Sequence, residues 1–207
     1  MKHPKKAHVV ISAAVVAVIA MATVACSKSP FGSTGGNSTA VGKGANLNGT
    51  SGSQYSGQSE AAKIVALLNT GGMQVSRKDW SSATATFQDV LAISPGNVYA
   101  NYDLGVVAQN TGNSAGAISY YNKALAENRA YTPAMYNEAI LLESSQPRQA
   151  ISLYQKIVTI NTKAATAYLR MAFLQAEQGD LTDAKANDAK AVSLNSALGK
   201  YALPVKQ

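Results

Sequence analysis

Hydrophobic and polar positions divide the chain into three stretches. Residues 9–25 are uncharged and built almost wholly of Val, Ala, Ile and Met. In residues 27–59, by contrast, 24 of 33 are Ser, Gly, Thr, Asn or Gln. Such a segment cannot bury enough apolar surface to offset its ordering entropy, and it reads as a disordered tether with a reach of about 30 Å. From Glu60 onward, small and apolar residues recur with a long period. Gly71, Gly105, Ala139 and Ala172 repeat at a spacing of about 34 residues, and so do Ala83, Ala117, Ala150 and Ala184. Val90, Ala124, Ile157 and Ala191 keep the spacings of the second set. Phe87, Tyr121 and Tyr154 each stand four places after a member of that set, and Pro95 closes the first unit. Several independent positions in one register predict stacked pairs of helices, because a chance bundle shows spacings of three and four without a long period.

This pattern resembles the tetratricopeptide repeat, a helix-turn-helix unit whose small residues let paired helices approach while aromatics fill the space between units. The resemblance implies an all-α domain over residues 60–207, a right-handed superhelical array of four repeats. They span residues 64–97, 98–131, 132–164 and 165–198, with a C-terminal cap over 199–207. Local chemistry agrees. Gly112-Asn113 and Gly179-Asp180 suit the turn inside a unit, where glycine ends one helix and Asn or Asp caps the next. The third unit lacks that pair and is shortened by one position between Ala139 and Ala150, so Pro147 is expected to start its second helix. Ser59 is a candidate N-cap for the first helix. In the fourth unit Asn187 and Asp188 replace the aromatic position, which predicts a polar end face, with Tyr201, Leu203 and Val205 covering the apolar edge left beside it.

The resemblance also implies a function, since in that family the concave surface, lined by the first helix of each unit, holds peptides or helices of partner proteins. The matching positions are Val65, Leu68 and Gly72, then Tyr99, Tyr102, Asp103, Val106 and Gln109. Tyr136, Asn137, Ile140 and Glu143 follow in the third unit, and Thr166, Leu169, Arg170 and Phe173 in the fourth. A groove that brings Tyr99, Tyr102 and Tyr136 close to Asn137 and Arg170 is amphipathic and suits an extended peptide. The other reading of each tyrosine is packing between helices with a wet hydroxyl. One subfamily grips a terminal carboxylate with five basic and amide residues. Here only Asn137 and Arg170 stand at those places, beside Tyr102, Val106 and Thr166, so that clamp is not expected.

The formal charge of +7 suggests a nucleic-acid partner until the charges are located. Residues 1–59 hold five lysines and no acid, while residues 60–199 hold 11 bases and 11 acids. A neutral folded region has no basic stripe for phosphates. His3, His8 and Cys26 are the only histidines and cysteine, and all precede the repeats. Ser-His-Asp and Cys-His catalysis and imidazole or thiolate metal sites are thereby excluded from the folded region, and no cofactor is expected. Asp180 and Asp183 form the one notable carboxylate pair, at a helix start where acids serve capping and the dipole. Catalysis is not expected.

Residues 1–25 supply the compartment. Lys2, Lys5 and Lys6 precede the apolar run, which ends in ATVAC; a charged segment followed by an apolar one is the layout of an export signal. At this point the segment resembles a bacterial lipoprotein signal, which implies cleavage before Cys26 and lipidation of its sulfur. Thr23 stands where such signals most often have Leu. The alternative is an uncleaved anchor, although the run from Val9 to Ala25 lies at the short limit for a span, where about 20 apolar residues are usual. Either way the basic flank stays cytoplasmic and residues 26–207 face outward. Together these readings predict a non-catalytic protein-interaction module on the outer face of a bacterial membrane, with an envelope protein as partner and a monomeric folded domain. A self-associating structural component is the other reading.

Overall fold

The computed structural model describes residues 59–203. Residues 1–58, which include the apolar run, Cys26 and all of the tether but Ser59, lie outside them, as does Val205. Among the described residues there are eight α-helices and no strand. They run α1 Glu60–Ser76, α2 Trp80–Ile93, α3 Val98–Asn110, α4 Ser114–Glu127, α5 Thr132–Leu142, α6 Pro147–Ile160, α7 Ala165–Glu177 and α8 Leu181–Leu194, followed by a 3₁₀ helix, Ser196–Tyr201. Consecutive helices pack in pairs, and the pairs stack as a right-handed superhelical array. The first helices of neighbouring units also touch, α1 with α3 and α3 with α5, which places them on the inner side of the curve.

Turn chemistry sets each pair. Asp79, Asn113 and Asp180 accept hydrogen bonds from the backbone N–H groups of Ser82, Gly116 and Asp183, three positions on, and so cap α2, α4 and α8. The residue before each cap is left-handed: Lys78 at φ 59°, Gly112 at 82° and Gly179 at 85°. In all three turns the capping residue's own N–H returns to a carbonyl in the last turn of the preceding helix, on Gln74, Ala108 and Gln175. The third unit dispenses with this turn and starts α6 at Pro147, as its shortened spacing predicts. Ser59 caps α1 through Ala62. Between units, Asn128, Asn161 and Asn195 each accept from the N–H two positions ahead.

The periodic residues form the core. Ala83, Ala117, Ala150 and Ala184 are fully buried, as are Phe87, Tyr121 and Tyr154. The small residues facing those rings are a steric requirement. A Cβ on Gly71 would stand 2.4 Å from the Phe87 ring, and one on Gly105 would stand 2.4 Å from the Tyr121 ring. A polar rung also crosses each pair, in which the second helix donates to a Gln or Glu near the end of the first. Thr86 donates to Gln74 at 2.8 Å, Tyr121 to Gln109 at 2.7 Å, Tyr154 to Glu143 at 2.7 Å and Asn187 to Gln175 at 2.7 Å.

The C-terminal end corrects one expectation. Asp188 does not present an open polar face; it is buried, and the backbone of Leu203 hydrogen-bonds to it. The chain after α8 folds back so that Leu198, Tyr201 and Leu203 pack on Leu169, Phe173, Ala176, Ala184 and Ala191. Tyr201 and Leu203 thus cover the apolar edge of α7 and α8 as expected, and it is the open polar face that the structure replaces. Burial raises the Asp188 carboxyl above its ordinary value despite the Leu203 bond.

Two glycines in contrasting surroundings test this packing. Gly105→Ala should cost about 1 to 3 kcal/mol, because the ring behind it cannot retreat without overpacking the core. Nothing lies within 4 Å of a Cβ on Gly72, so Gly72→Ala should stabilise α1 by about 0.5 to 1 kcal/mol. Thermal denaturation of both variants against the parent checks the opposite signs.

Candidate functional site

The inner face is most developed where the second unit meets the third. On α3, Tyr99, Tyr102, Asp103 and Val106 are half-buried. Tyr131, which directly precedes α5, turns its ring edge-on to two of them: its centroid lies 5.9 Å from Tyr99 at 88° and 5.3 Å from Tyr102 at 81°. Such edge-to-face pairs add stabilisation beyond area burial. Behind this ledge the Asn137 amide donates to the hydroxyls of Tyr102 and Tyr121, both at 3.3 Å. The Tyr121 hydroxyl in turn donates to Gln109. Tyr102 and Asn137 therefore meet, and Tyr121, which is not a groove candidate from the sequence, joins them to Gln109.

Asp103 lies among these rings. Burial pushes its carboxyl up to about 7. Burial likewise raises the phenols of Tyr121 and Tyr131, and the nearby Asp103 charge adds to both shifts. The carboxylate makes no ion pair with any described residue.

A second polar cluster joins the third and fourth units. Arg170 meets Glu143 through two bonds, Nε to Oε1 at 2.6 Å and Nη2 to Oε2 at 2.7 Å. Its Nε also donates to the Tyr154 hydroxyl at 2.9 Å. Arg170 is 4% exposed and Glu143 14%. Burial opposes the guanidinium charge, and Glu143 more than offsets it, so Arg170 is held above its ordinary value. The ring of Tyr136 stands 5.5 Å from that of Tyr154, and burial raises its phenol against the opposing effect of Arg170.

This arrangement revises the set of groove residues. Arg170 stands where the sequence places it, yet its fork is spent inside the fold and does not reach for a partner. Leu169 and Phe173 are 1% and 9% exposed, packed under the C-terminal segment and unavailable as contact surface. Tyr136 and Ile140 are half-buried on α5. With Leu169, Arg170 and Phe173 withdrawn, the site comprises the half-buried Tyr99, Tyr102, Asp103, Val106, Gln109 and Tyr131 and, on α5, Tyr136, Asn137 and Ile140. Tyr131 is not among the sequence candidates. Its signal is positional: it stands one full repeat after Asn97, which caps α3 through Ala100, and a tyrosine in a capping place makes no cap bond. Among the described residues no three metal-ligating side chains cluster, and Asp180 serves as the α8 cap.

Paired helices in one long register, small residues facing aromatics and a curved inner face together define a tetratricopeptide-type fold. No family model and no curated protein matches the chain. Solved structures do resemble it. A crystal structure of MamA aligns with a TM-score of 0.60 at 22% identity, covering 67% of this chain and 81% of MamA. PilF of Pseudomonas aeruginosa aligns at 0.62 and 19%, covering 69% of this chain and 65% of its own. YrrB, described as a TPR protein with an unusual peptide-binding site, aligns at 0.57 and 18%, covering 68% and 73%. At these identities the likeness shows the fold.

Two measurements follow from the electrostatics. Arg170→Ala leaves the Glu143 charge uncompensated and should cost about 3 to 5 kcal/mol, whereas the double change Arg170→Met with Glu143→Met should lose less than the single one. Urea denaturation of the three proteins checks the order. Because the folded state raises the Asp103 carboxyl from 3.8 to about 7, it binds that proton more tightly than the unfolded chain does. This contribution makes stability fall as pH rises from about 4 through 7. Asp103→Asn should flatten that part of the profile, measured by urea denaturation between pH 4 and 8.

Proposed function

We propose that the protein is a non-catalytic interaction module whose concave face binds an extended peptide or a helix of an envelope-complex partner. In this reading a lipidated Cys26 tethers the array to the outer face of a bacterial membrane. The observation that carries the binding role is the tyrosine ledge. Three half-buried rings, Tyr99 and Tyr102 of α3 and Tyr131 just before α5, meet edge to face through Tyr131, and Asn137 donates to the Tyr102 hydroxyl. Rigid aromatic groups with one wet edge are the usual anchors of such interfaces. The resemblance to YrrB supports a peptide as the occupant. The ATVAC sequence that ends at Cys26, with its basic flank, supports the tether.

Crosslinking in intact cells and identification of the trapped protein test the reading. Tyr102→Ala should then weaken binding of that partner by about 1 to 2 kcal/mol or more, measured well below its melting temperature because the change also removes the Asn137 bond and the Tyr131 contact. A folded variant that binds like the parent removes the ledge from the interface. Mass spectrometry of the membrane fraction should find a lipidated Cys26 as the first residue of a mature chain that runs to Gln207. An intact Met1 with an unmodified thiol would replace the lipid by an uncleaved anchor.

A further inference from the structure

Charge on the array is sorted by helix. The first helices α1, α3, α5 and α7 carry only two bases, Lys63 and Arg170, and the latter is paired with Glu143. The same helices carry Glu60, Asp103, Glu138 and Glu177. The other described lysines and arginines stand on second helices, in turns or on the 3₁₀ helix. Glu138 is buried and its charge meets Lys156 of α6, so it does not belong to the inner surface; the acid that the first helices contribute beside the tyrosines is Asp103.

Within that surface Asp103 occupies an unusual setting. It lies on the same helix as Tyr99 and Tyr102, and its charge is felt by Tyr121 and Tyr131. Burial disfavours the carboxylate, and no described lysine or arginine compensates it. Phenol rings present negative faces, and a carboxylate at their margin adds a full charge. Both attract a cation and repel an anion. Arginine fits this combination better than lysine, because a planar guanidinium stacks on a ring while its fork bonds a carboxylate.

We infer that the ledge of Tyr99, Tyr102, Tyr131 and Asp103 is a pocket for an arginine side chain of the partner peptide. This rests on the peptide-binding reading above and specifies its chemistry. An acidic peptide end is disfavoured, because the guanidinium that would receive it is already bound to Glu143 and the charge on the ledge itself is negative. The incoming arginine restores to Asp103 the compensation that burial removes, so the acid becomes a source of affinity only when that residue arrives.

A positional-scanning set of acetylated nine-residue peptides, measured for binding to the full chain in detergent, tests this. The set varies one central position among Arg, Lys, Gln and Glu in a fixed Ala/Ser/Tyr background. Arginine at that position should bind about tenfold or more tighter than glutamine, with glutamate weakest. Asp103→Asn should reduce the preference to within about twofold while the protein melts at or above the parent temperature, and Tyr131→Leu should weaken arginine peptides more than glutamine peptides. Binding that is indifferent to charge or favours glutamate overturns the arginine pocket and leaves the peptide-binding reading intact. So does an arginine preference that survives Asp103→Asn. No binding by any peptide overturns both, and Asp103-dependent dimers in sedimentation would overturn the pocket by giving the ledge to a second copy of the chain.

Discussion

The array depends on one steric relation, an aromatic ring of the second helix lying where a side chain of the first helix would otherwise begin. Phe87 occupies the space of a Cβ on Gly71, and Tyr121 that of a Cβ on Gly105. This contact sets how near the paired helices stand and hence how far the next pair must step. In the third and fourth units the small residue is Ala139 or Ala172. The residue at the ring position there is Tyr154, tied by its hydroxyl to Glu143, or the smaller Asp188. Repeats that touch only their neighbours inherit their curvature from such per-unit distances. The inner surface is accordingly a product of the core contact.

The same tyrosines serve core and groove. Tyr121 is fully buried, yet its hydroxyl joins Gln109 and Asn137 and so reaches the back of Tyr102. Tyr154 does the equivalent for Glu143 and Arg170. The outcome differs between the two junctions. At the first, amides meet hydroxyls, and the charge left over is the acid Asp103. At the second, two opposite charges cancel inside the fold. Neighbouring units built to one pattern thereby offer surfaces of different character, one with an acid that makes no ion pair and one whose charges are matched.

Much of the architecture was legible because it recurs. The recurring small residues, the Gly-Asn and Gly-Asp turns and the role of Pro147 all follow from spacing and backbone chemistry that any unit must satisfy. What lay hidden was specific to single positions. Arg170 and Glu143 belong to different units and stand at unequal places within them, so nothing local indicates that they pair. The burial of Asp188 depended on a segment after α8 that has no repeat to copy. Leu169 and Phe173 hold inner-face places by register, but that segment covers them. Tyr131 was concealed because it fills a capping place, where sequence reasoning looks for a small polar residue.

Three of the four cross-helix rungs join neutral groups, and only the third carries charge. The first joins Thr86 to Gln74, both neutral, whereas the third involves an ion pair and a phenol around Glu143. The first pair also has no neighbour before it among the described residues, carries Met73 and Val65 exposed, and holds Lys78 in a left-handed conformation that glycine takes in the corresponding turns. The two ends of the array therefore differ, since α7 and α8 lie under the C-terminal segment whereas no described residue covers α1 in that way. Local opening is expected to begin at α1, which carries exposed Val65 and Met73. Such opening would free the first pair while the tyrosine ledge and the charged lock behind it stay assembled.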